Sequence, residues 1–579
     1  MGAWRPFPFR LAVAILLVTL FVQLLAVNVH TSMTWDEGHH LFDGYTILEH
    51  RDFDLNPEVP PVVKAVAALP LLPMDLYEPA QQGRSSQLEA FVDGRDFLFK
   101  NDANRLLLLS RTAASCFVLA LVLLVFLSGK AMFGAATGLL ASVLLVFDPN
   151  LLAHGALVTT DVPITTLCFA SMFAWYRYTS LPAVWTLCLC GLLTGLAFAT
   201  KFTGLFLVPI LVLLAVGESW WQGSARLLLS RAAALVGVFS IAYIVLWACY
   251  GFRYAARPDG LALNPTLASY LKEYAQVGRP EPLELLARWH ALPEAFLWGL
   301  ANTRLTEERD LSYLFGVLHR HGVWFYFPVA ITIKSTLPFL FLLGLAGYVA
   351  LRYRELRTRR LTLVVPVIVF LGVAMYSDMN IGVRHVLPIY PFFYLVGASA
   401  LIWLIHRDRR WLAAAVVLVV FQAITAARTF PAYVAYANEA WGGPQNVHRF
   451  LGDSNVDWGQ QLKTAADYLA AHHVTDCWMA YTASGVVDES YYGVSCRPLP
   501  TAVNLWWIPV RMDVPPRIHG VVLISDIELK GLDLPFGQPN PYVQFRDLQP
   551  AAILDGGLFV FEGDFDMSLA SHMVAVARR

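Results

Sequence analysis

The chain has 579 residues, 57% of them hydrophobic and only 15% charged, against about 25% charged in soluble domains. A formal net charge of −1 excludes the basic footprint of a nucleic-acid binder, so no nucleic-acid partner is expected. Together these values predict an α-helical polytopic membrane protein; no low-complexity tract or internal repeat is evident.

Arg5 and Arg10 precede an apolar run from Leu11 to about Val29. A span needs about 20 residues, and a cleavable signal has a shorter apolar core of roughly 7–15 residues. An uncleaved anchor with its basic end in the cytoplasm is predicted. With this first run near 10–30, further apolar runs near 106–128, 134–150, 162–178, 182–200, 202–217, 232–251, 331–351, 361–377, 386–404 and 411–430 predict about eleven spans. Lys and Arg in short loops mark the cytoplasm. Arg5, Arg10, Lys130, Arg177, Arg226, Arg231, the run Arg352 to Arg360 and "HRDRR" (His406 to Arg410) all fall on that side.

The external parts follow from this orientation. The membrane part, 1–430, carries a first external loop at 31–105 and a second large one at 252–330. Residues 431–579 turn polar and turn-rich, predicting a small external α/β domain. In it "CWMAYTAS", "GVVLISDI" and "GLFVFEG" read as strands and "WGQQLKTAADYLAAHH" as a helix. Of seven cysteines, only Cys477 and Cys496 lie in this tail. An oxidising compartment allows them to pair, but spacing alone leaves the pairing open.

Sorting the ionisable residues by side places Asp36, Glu37, Glu58, Lys64, Asp148, His154, Asp161, Lys201, Arg384 and His385 at the outer ends of spans. Lys334 falls about one turn inside if its span starts near Ile331. Charges at such depth are costly and usually functional. A transporter would place them near the bilayer midplane. Clustering on one face fits a membrane enzyme with an external site, acting on a lipid whose headgroup lies at that interface. Cations stabilise a departing lipid phosphate, and a carboxylate can take the proton of an acceptor hydroxyl. Glycosyl transfer from a lipid-linked phosphate fits both.

Structural readings of the same residues stand beside the functional ones. "TWDE" is also a capping box, with Thr34 as N-cap and Glu37 reaching back. Asp161 could cap the next span, Lys64 could snorkel at the interface, and Lys201 or Lys334 could fill a structural ion pair. "DSNVDWGQ", Asp453 to Gln460, suits docking of the tail onto the bundle. His39 and His40 beside Asp36 and Glu37 leave a divalent cation open, although no metal-ligand spacing supports one.

The motifs "TWDEGHHLFDGY", "LNPEVPPVVKAVAALPLLP", "DPNLLAHGALVTTDVP", "GLLTGLAFATKFTGLFLVP", "NIGVRHVLPIYPF" and "YANEAWGGPQNVHRFLGDSNVDWGQQL" occur in this order up to about residue 465. They resemble the GT-C glycosyltransferases. More narrowly, they resemble the protein O-mannosyltransferase and aminoarabinose-transferase superfamily (glycosyltransferase family 39-like). The resemblance implies a GT-C bundle and a polyprenyl-phosphate sugar donor. It implies transfer with inversion to an external acceptor (protein, lipid or glycan). The family's acidic pair falls on Asp36 and Glu37, with Asp36 as base, and Asp161 joins the catalytic set. Its "PP…K" element falls on Pro60, Pro61 and Lys64. Lys64, Arg384, Lys334 and Lys201 become candidates for holding the donor phosphate. Glu58, His154 and His385 become candidates for the substrate pocket. Val59 stands where the family often has His. A flippase for lipid-linked sugars, or an oligosaccharide ligase or polymerase, is the alternative.

Overall fold

The computed structural model describes residues 9–80, 86–258, 261–276, 278–307, 311–352 and 361–578. Arg5 and positions 353–360 of the basic run therefore lie outside the described residues. In chain order come α1 (Phe9–His30), α2 (Glu37–His50), α3 (Pro61–Ala68), α4 (Ser86–Phe99), α5 (Ala103–Phe133), α6 (Ala135–Val146) and α7 (Pro149–Gly155). Then follow α8 (Asp161–Ser180), α9 (Val184–Phe198), α10 (Leu207–Gln222), α11 (Ala225–Cys249), α12 (Leu267–Tyr274), α13 (Glu281–Arg288) and α14 (Glu294–Glu307). The bundle closes with α15 (Tyr326–Lys334), α16 (Leu337–Arg352), α17 (Leu361–Tyr376), α18 (Tyr390–Arg407) and α19 (Arg410–Thr429).

Each of the eleven apolar runs is helical. Among the described residues, six helices are long and apolar enough to cross a membrane, or up to eight if each of two bent pairs counts as one span. One pair is α6 and α7, bent by 67°; the other is α15 and α16, bent by 120°. The first bend falls where Asp148 caps α7, accepting from the Asn150 and Leu151 amides. Pro149 at the first helical position has no N–H to leave orphaned. At the second bend, Ser335 leaves helical geometry (ψ 147°). Lys334 is therefore the last residue of a short helix rather than a position one turn down a continuous span. Asn150 joins the two breaks by donating to the Lys334 carbonyl at 2.7 Å.

The tail forms a five-stranded sheet. Its strands are β3 (Cys477–Ala480), β4 (Arg497–Pro498), β5 (Arg517–Ser525), β6 (Ala552–Leu554) and β7 (Leu558–Asp566); β1 (Ser312–Leu314) and β2 (Val317–His319) pair separately in the second loop. The order is β4-β3-β5-β7-β6, with β3 parallel to β4 and β5, and β7 antiparallel to β5 and β6. All three segments read as strands and the helix, α20 (Leu462–Ala471), are present. A disulfide joins Cys477 and Cys496. The tail shares a core with the first loop: Met33, Leu41, Phe42, Val63 and Phe97 pack in one cluster with Leu462, Met479, Leu523 and Val560. This shared core seats the sheet over the end of the bundle that carries Asp36.

Candidate active site

Thr34 to His40 turn the chain out of α1 and into α2. Only half of the predicted capping box forms. Glu37 does reach back, its Oε2 accepting from the Thr34 amide at 3.0 Å, but the Thr34 hydroxyl donates to the same oxygen instead of capping an amide. The residue preceding the helix is Asp36, whose side chain makes no cap hydrogen bond. Glu37 is instead the partner of Arg111, about two turns into the long helix α5. Arg111 Nε donates to Oε1 at 2.8 Å and Nη2 to Oε2 at 2.6 Å. Both side chains are at most 1% exposed. The Val158 amide adds a further bond to Oε1 at 3.0 Å. Burial alone would raise the Glu37 carboxyl, but the charge and hydrogen bonds of Arg111 outweigh it and hold the group below the usual carboxylate range. Glu37 is thus a locked brace, and its turn aims Asp36 outward.

The same helix packs closely on α3. A Cβ at Gly44 would lie 2.0 Å from the Lys64 carbonyl, so only glycine permits this crossing. The approach buries Lys64 against Asp43 at 3.2 Å and the Asn56 carbonyl at 2.8 Å. Burial pushes Asp43 up to about 6 and Lys64 down, each opposed by the attraction of the other. Lys64 lines neither of the two site cavities described below. Its ammonium is buried rather than snorkelling to the surface, as half of an ion pair with Asp43.

Arg384 and Asp161 form the charged centre. Asp161 Oδ1 accepts from Lys201 Nζ at 2.6 Å. Arg384 Nη1 lies 3.7 Å from Asp161 Oδ2 and 3.7 Å from Asp36 Oδ2. Asp161 therefore pairs with two cations rather than serving as the N-cap, a position held by Thr160. The Arg384 guanidinium sits 4.0 Å from the centroid of the Trp458 ring, a cation–π contact that orients it. Trp458 belongs to "DSNVDWGQ", which does dock the tail: Asn455 accepts from the Val383 amide, and the Trp458 carbonyl accepts from the Trp35 amide.

Two cavities meet at this centre. One, of about 470 Å³, is lined by Glu58, Val59, Pro60, His39, His40, Lys201 and His385. The other, of about 890 Å³, is lined by Asp453, Trp458, Thr482, Asp533 and Phe536 of the tail and Arg320 of the second loop. Trp35, Asp36, Ile381, Arg384 and Trp507 line both. Burial, and then the charge of Asp36, push Glu58 up to about 7, partly offset by a hydrogen bond with Asn302.

The remaining predicted residues lie behind these walls or on them. Lys334 donates to the Val434 and Asn455 carbonyls, each at 2.7 Å, and so anchors the tail segment. His154 packs edge-on to Trp458 at 5.8 Å and lines neither cavity. His385 faces the smaller cavity, and its Nε2 is buried without a hydrogen-bond partner. His40 Nδ1 donates to the Val158 carbonyl at 2.8 Å, and His39 packs on Phe91. Among the described residues, no group of three or more His, Cys, Asp or Glu is placed to hold a metal ion. Sequence reasoning missed Arg111, whose signal was a lone charge in an apolar run. It also missed Trp35, Trp507, Asp453 and Asp533, which only the tertiary fold assembles.

Residues 102–256 match the family model of dolichyl-phosphate-mannose-protein mannosyltransferases. That stretch, about a quarter of the chain, holds Arg111, His154, Asp161 and Lys201, and the match agrees with the resemblance of the motifs. No curated protein sequence matches the chain. Among solved structures it is similar to ArnT of Cupriavidus metallidurans bound to undecaprenyl phosphate, at 13% identity and a TM-score of 0.47 over 95% of this chain and 97% of that one. It is also similar to AglB of Archaeoglobus fulgidus with an inhibitory peptide and a dolichol-phosphate (12%, 0.45, 90% and 70%). A third likeness is to the Pmt1-Pmt2 complex of S. cerevisiae bound to the sugar donor (17%, 0.34, 45% and 36%).

Proposed function

We propose that this chain is a membrane glycosyltransferase. It moves a sugar from a polyprenyl-phosphate carrier to an acceptor on the external face of the cytoplasmic membrane, with inversion. The observation that carries the reading is the junction: Asp36 and Arg384, 3.7 Å apart, each line both cavities. A base and a phosphate-binding cation thus stand where two substrates would meet. The donor occupies the smaller cavity, its phosphate against Arg384 and Lys201. The acceptor hydroxyl enters from the larger cavity. Its oxygen bonds to the anomeric carbon as its proton passes to Asp36. The carbon–oxygen bond to phosphate breaks, and the electron pair leaves with the phosphate, stabilised by Arg384. Asp161 positions both cations. Glu37, Lys64 and Lys334 hold the frame instead of touching substrate.

This reading includes the eleven-span topology, an external first loop and an external domain at 431–579. No observation favours the flippase or ligase alternatives. The test uses polyprenyl-phosphate mannose, chosen because the matching family is named for dolichyl-phosphate mannose. In purified protein Asp36→Asn should bind the donor normally but lose about 10²–10⁴-fold in turnover. Wild-type turnover in that variant would overturn the assignment.

A further inference from the structure

Building on that reading, we infer that the larger cavity is an acceptor site for a saccharide: a pyranose whose ring rests on aromatic faces and whose hydroxyls meet carboxylates. Three groups of lining residues support this. Trp35 and Trp507 lie nearly parallel (12°) with centroids 5.9 Å apart, and Phe91 packs against both. The indoles are thereby fixed as walls before any ligand arrives. Phe536 stands at 58% exposure on the same cavity, the most exposed Phe, Tyr or Trp ring among the described residues of the tail. Among these rings lie Asp453, Asp533 and Thr482, and the Thr482 hydroxyl donates to Asp533 at 3.4 Å.

Flat apolar faces beside carboxylates match a molecule with one C–H face and a rim of hydroxyl donors. Most ligand sites pair apolar walls with a few placed polar groups in this way. A polypeptide acceptor would find less to hold. Extended peptides bind by adding to a strand edge, and none of the described residues lining this cavity lies in a strand. Charge argues further. Arg384 is taken up by the donor phosphate in the proposed reaction, leaving Arg320 against Asp453 and Asp533 on this cavity, a balance that favours neutral or amino sugars over anionic ones. Asp453 also holds φ at 56°, a left-handed conformation unusual for a residue other than glycine. Such outliers persist where the surrounding structure over-determines them, often at functional sites.

The test is binding to purified full-length protein saturated with polyprenyl phosphate, followed by tryptophan fluorescence and calorimetry. The probes are the methyl glycosides of glucose, mannose, N-acetylglucosamine and glucosamine, and a serine- and threonine-rich dodecapeptide. At least one glycoside should bind and quench fluorescence, and the peptide should not. Asp533→Asn and Phe536→Ala should each weaken glycoside binding about tenfold, a loss of about 1.4 kcal/mol. Polyprenyl-phosphate affinity should stay within twofold, because neither residue lines the smaller cavity. Trp507→Phe, which keeps an aromatic face, should retain more glycoside binding than Trp507→Ala. Peptide binding that beats every glycoside, or no glycoside binding while polyprenyl phosphate still binds, would overturn this inference and leave the donor reading intact. Failure of polyprenyl phosphate to bind wild-type protein would instead overturn the donor reading.

Discussion

Glu37→Gln should strongly destabilise the protein rather than slow it, although its neighbour Asp36 is the proposed base. Five donors converge on the two Glu37 oxygens: Arg111 Nε and the Val158 amide on one, and Arg111 Nη2, the Thr34 amide and the Thr34 hydroxyl on the other. A glutamine amide replaces one oxygen with a donor, so in either orientation at least two of these donors lose their acceptor. Arg111 keeps four oxygen acceptors, from Asn28, Thr31 and Ser32, but its charge loses its counter-ion in a site at most 1% exposed. Breaking one partner of a buried pair costs about 3–5 kcal/mol, a large share of the roughly 5–15 kcal/mol by which proteins are stable. The double change Glu37→Leu with Arg111→Met should recover only part of this. It removes both charges but strands the Thr34 and Val158 amides, each worth about 1–3 kcal/mol when left unpaired. Asp36→Asn, with a 24%-exposed side chain and one 3.7 Å ionic contact, should cost less than about 1 kcal/mol. The assay is unfolding in mixed micelles, read by tryptophan fluorescence, with turnover measured on the folded fraction. The sign with pH also follows. Because the folded-state Glu37 carboxyl is held below its ordinary value, its contribution is full above about pH 4.5 and fades as pH falls through the folded value. A Glu37→Gln protein as stable as wild type but inactive would refute this reasoning and return Glu37 to the catalytic set.

Arg384→Lys should lower polyprenyl-phosphate affinity, since an ammonium cannot supply the planar fork, and Arg384→Ala should lower it further. Lys64→Met should leave that affinity within about twofold and reduce stability, because it removes the counter-ion of buried Asp43; titration with the lipid separates the two. Glu58 should put an ionisation near 7 into the pH profile of kcat/KM, absent in Glu58→Gln. Its raised carboxyl should also cost wild-type stability as pH rises from about 4.5 towards 7, where the folded state holds the proton that the unfolded chain has released.

The position of the candidate site was legible because ionisable side chains at the ends of apolar runs are rare enough to mark themselves. Asp36, Asp161, Lys201 and Arg384 do come together, from segments far apart in sequence. The strands and the helix of the tail were legible as short apolar or helix-forming runs set in a polar, turn-rich stretch. The roles of individual cations were not. Lys64 and Lys334 look equivalent to Arg384 in sequence, yet one meets a carboxylate six residues along α2 from Glu37 and the other meets two backbone carbonyls. Which partner satisfies a buried cation is a tertiary fact. Gly44 admits Asp43 to Lys64, and the bend after α15 turns Lys334 towards the tail. Each cation in such a bundle must be paired, bonded to carbonyls or left for a ligand, because an unpaired buried charge is prohibitive.

That condition separates the four candidates. Lys64 and Lys334 are satisfied by short contacts to groups that stay in place. Arg384 is held by two carboxylates at 3.7 Å and by an indole face, and its Nε has no hydrogen-bond partner. Lys201 is bonded to Asp161 but remains 21% exposed to the smaller cavity. Only these two keep donors available to a phosphate without dismantling the frame. Under the proposed function, a phosphate that drew Arg384 away would weaken its ionic contact to Asp36 and so leave the carboxylate freer to take a proton once the donor is in place.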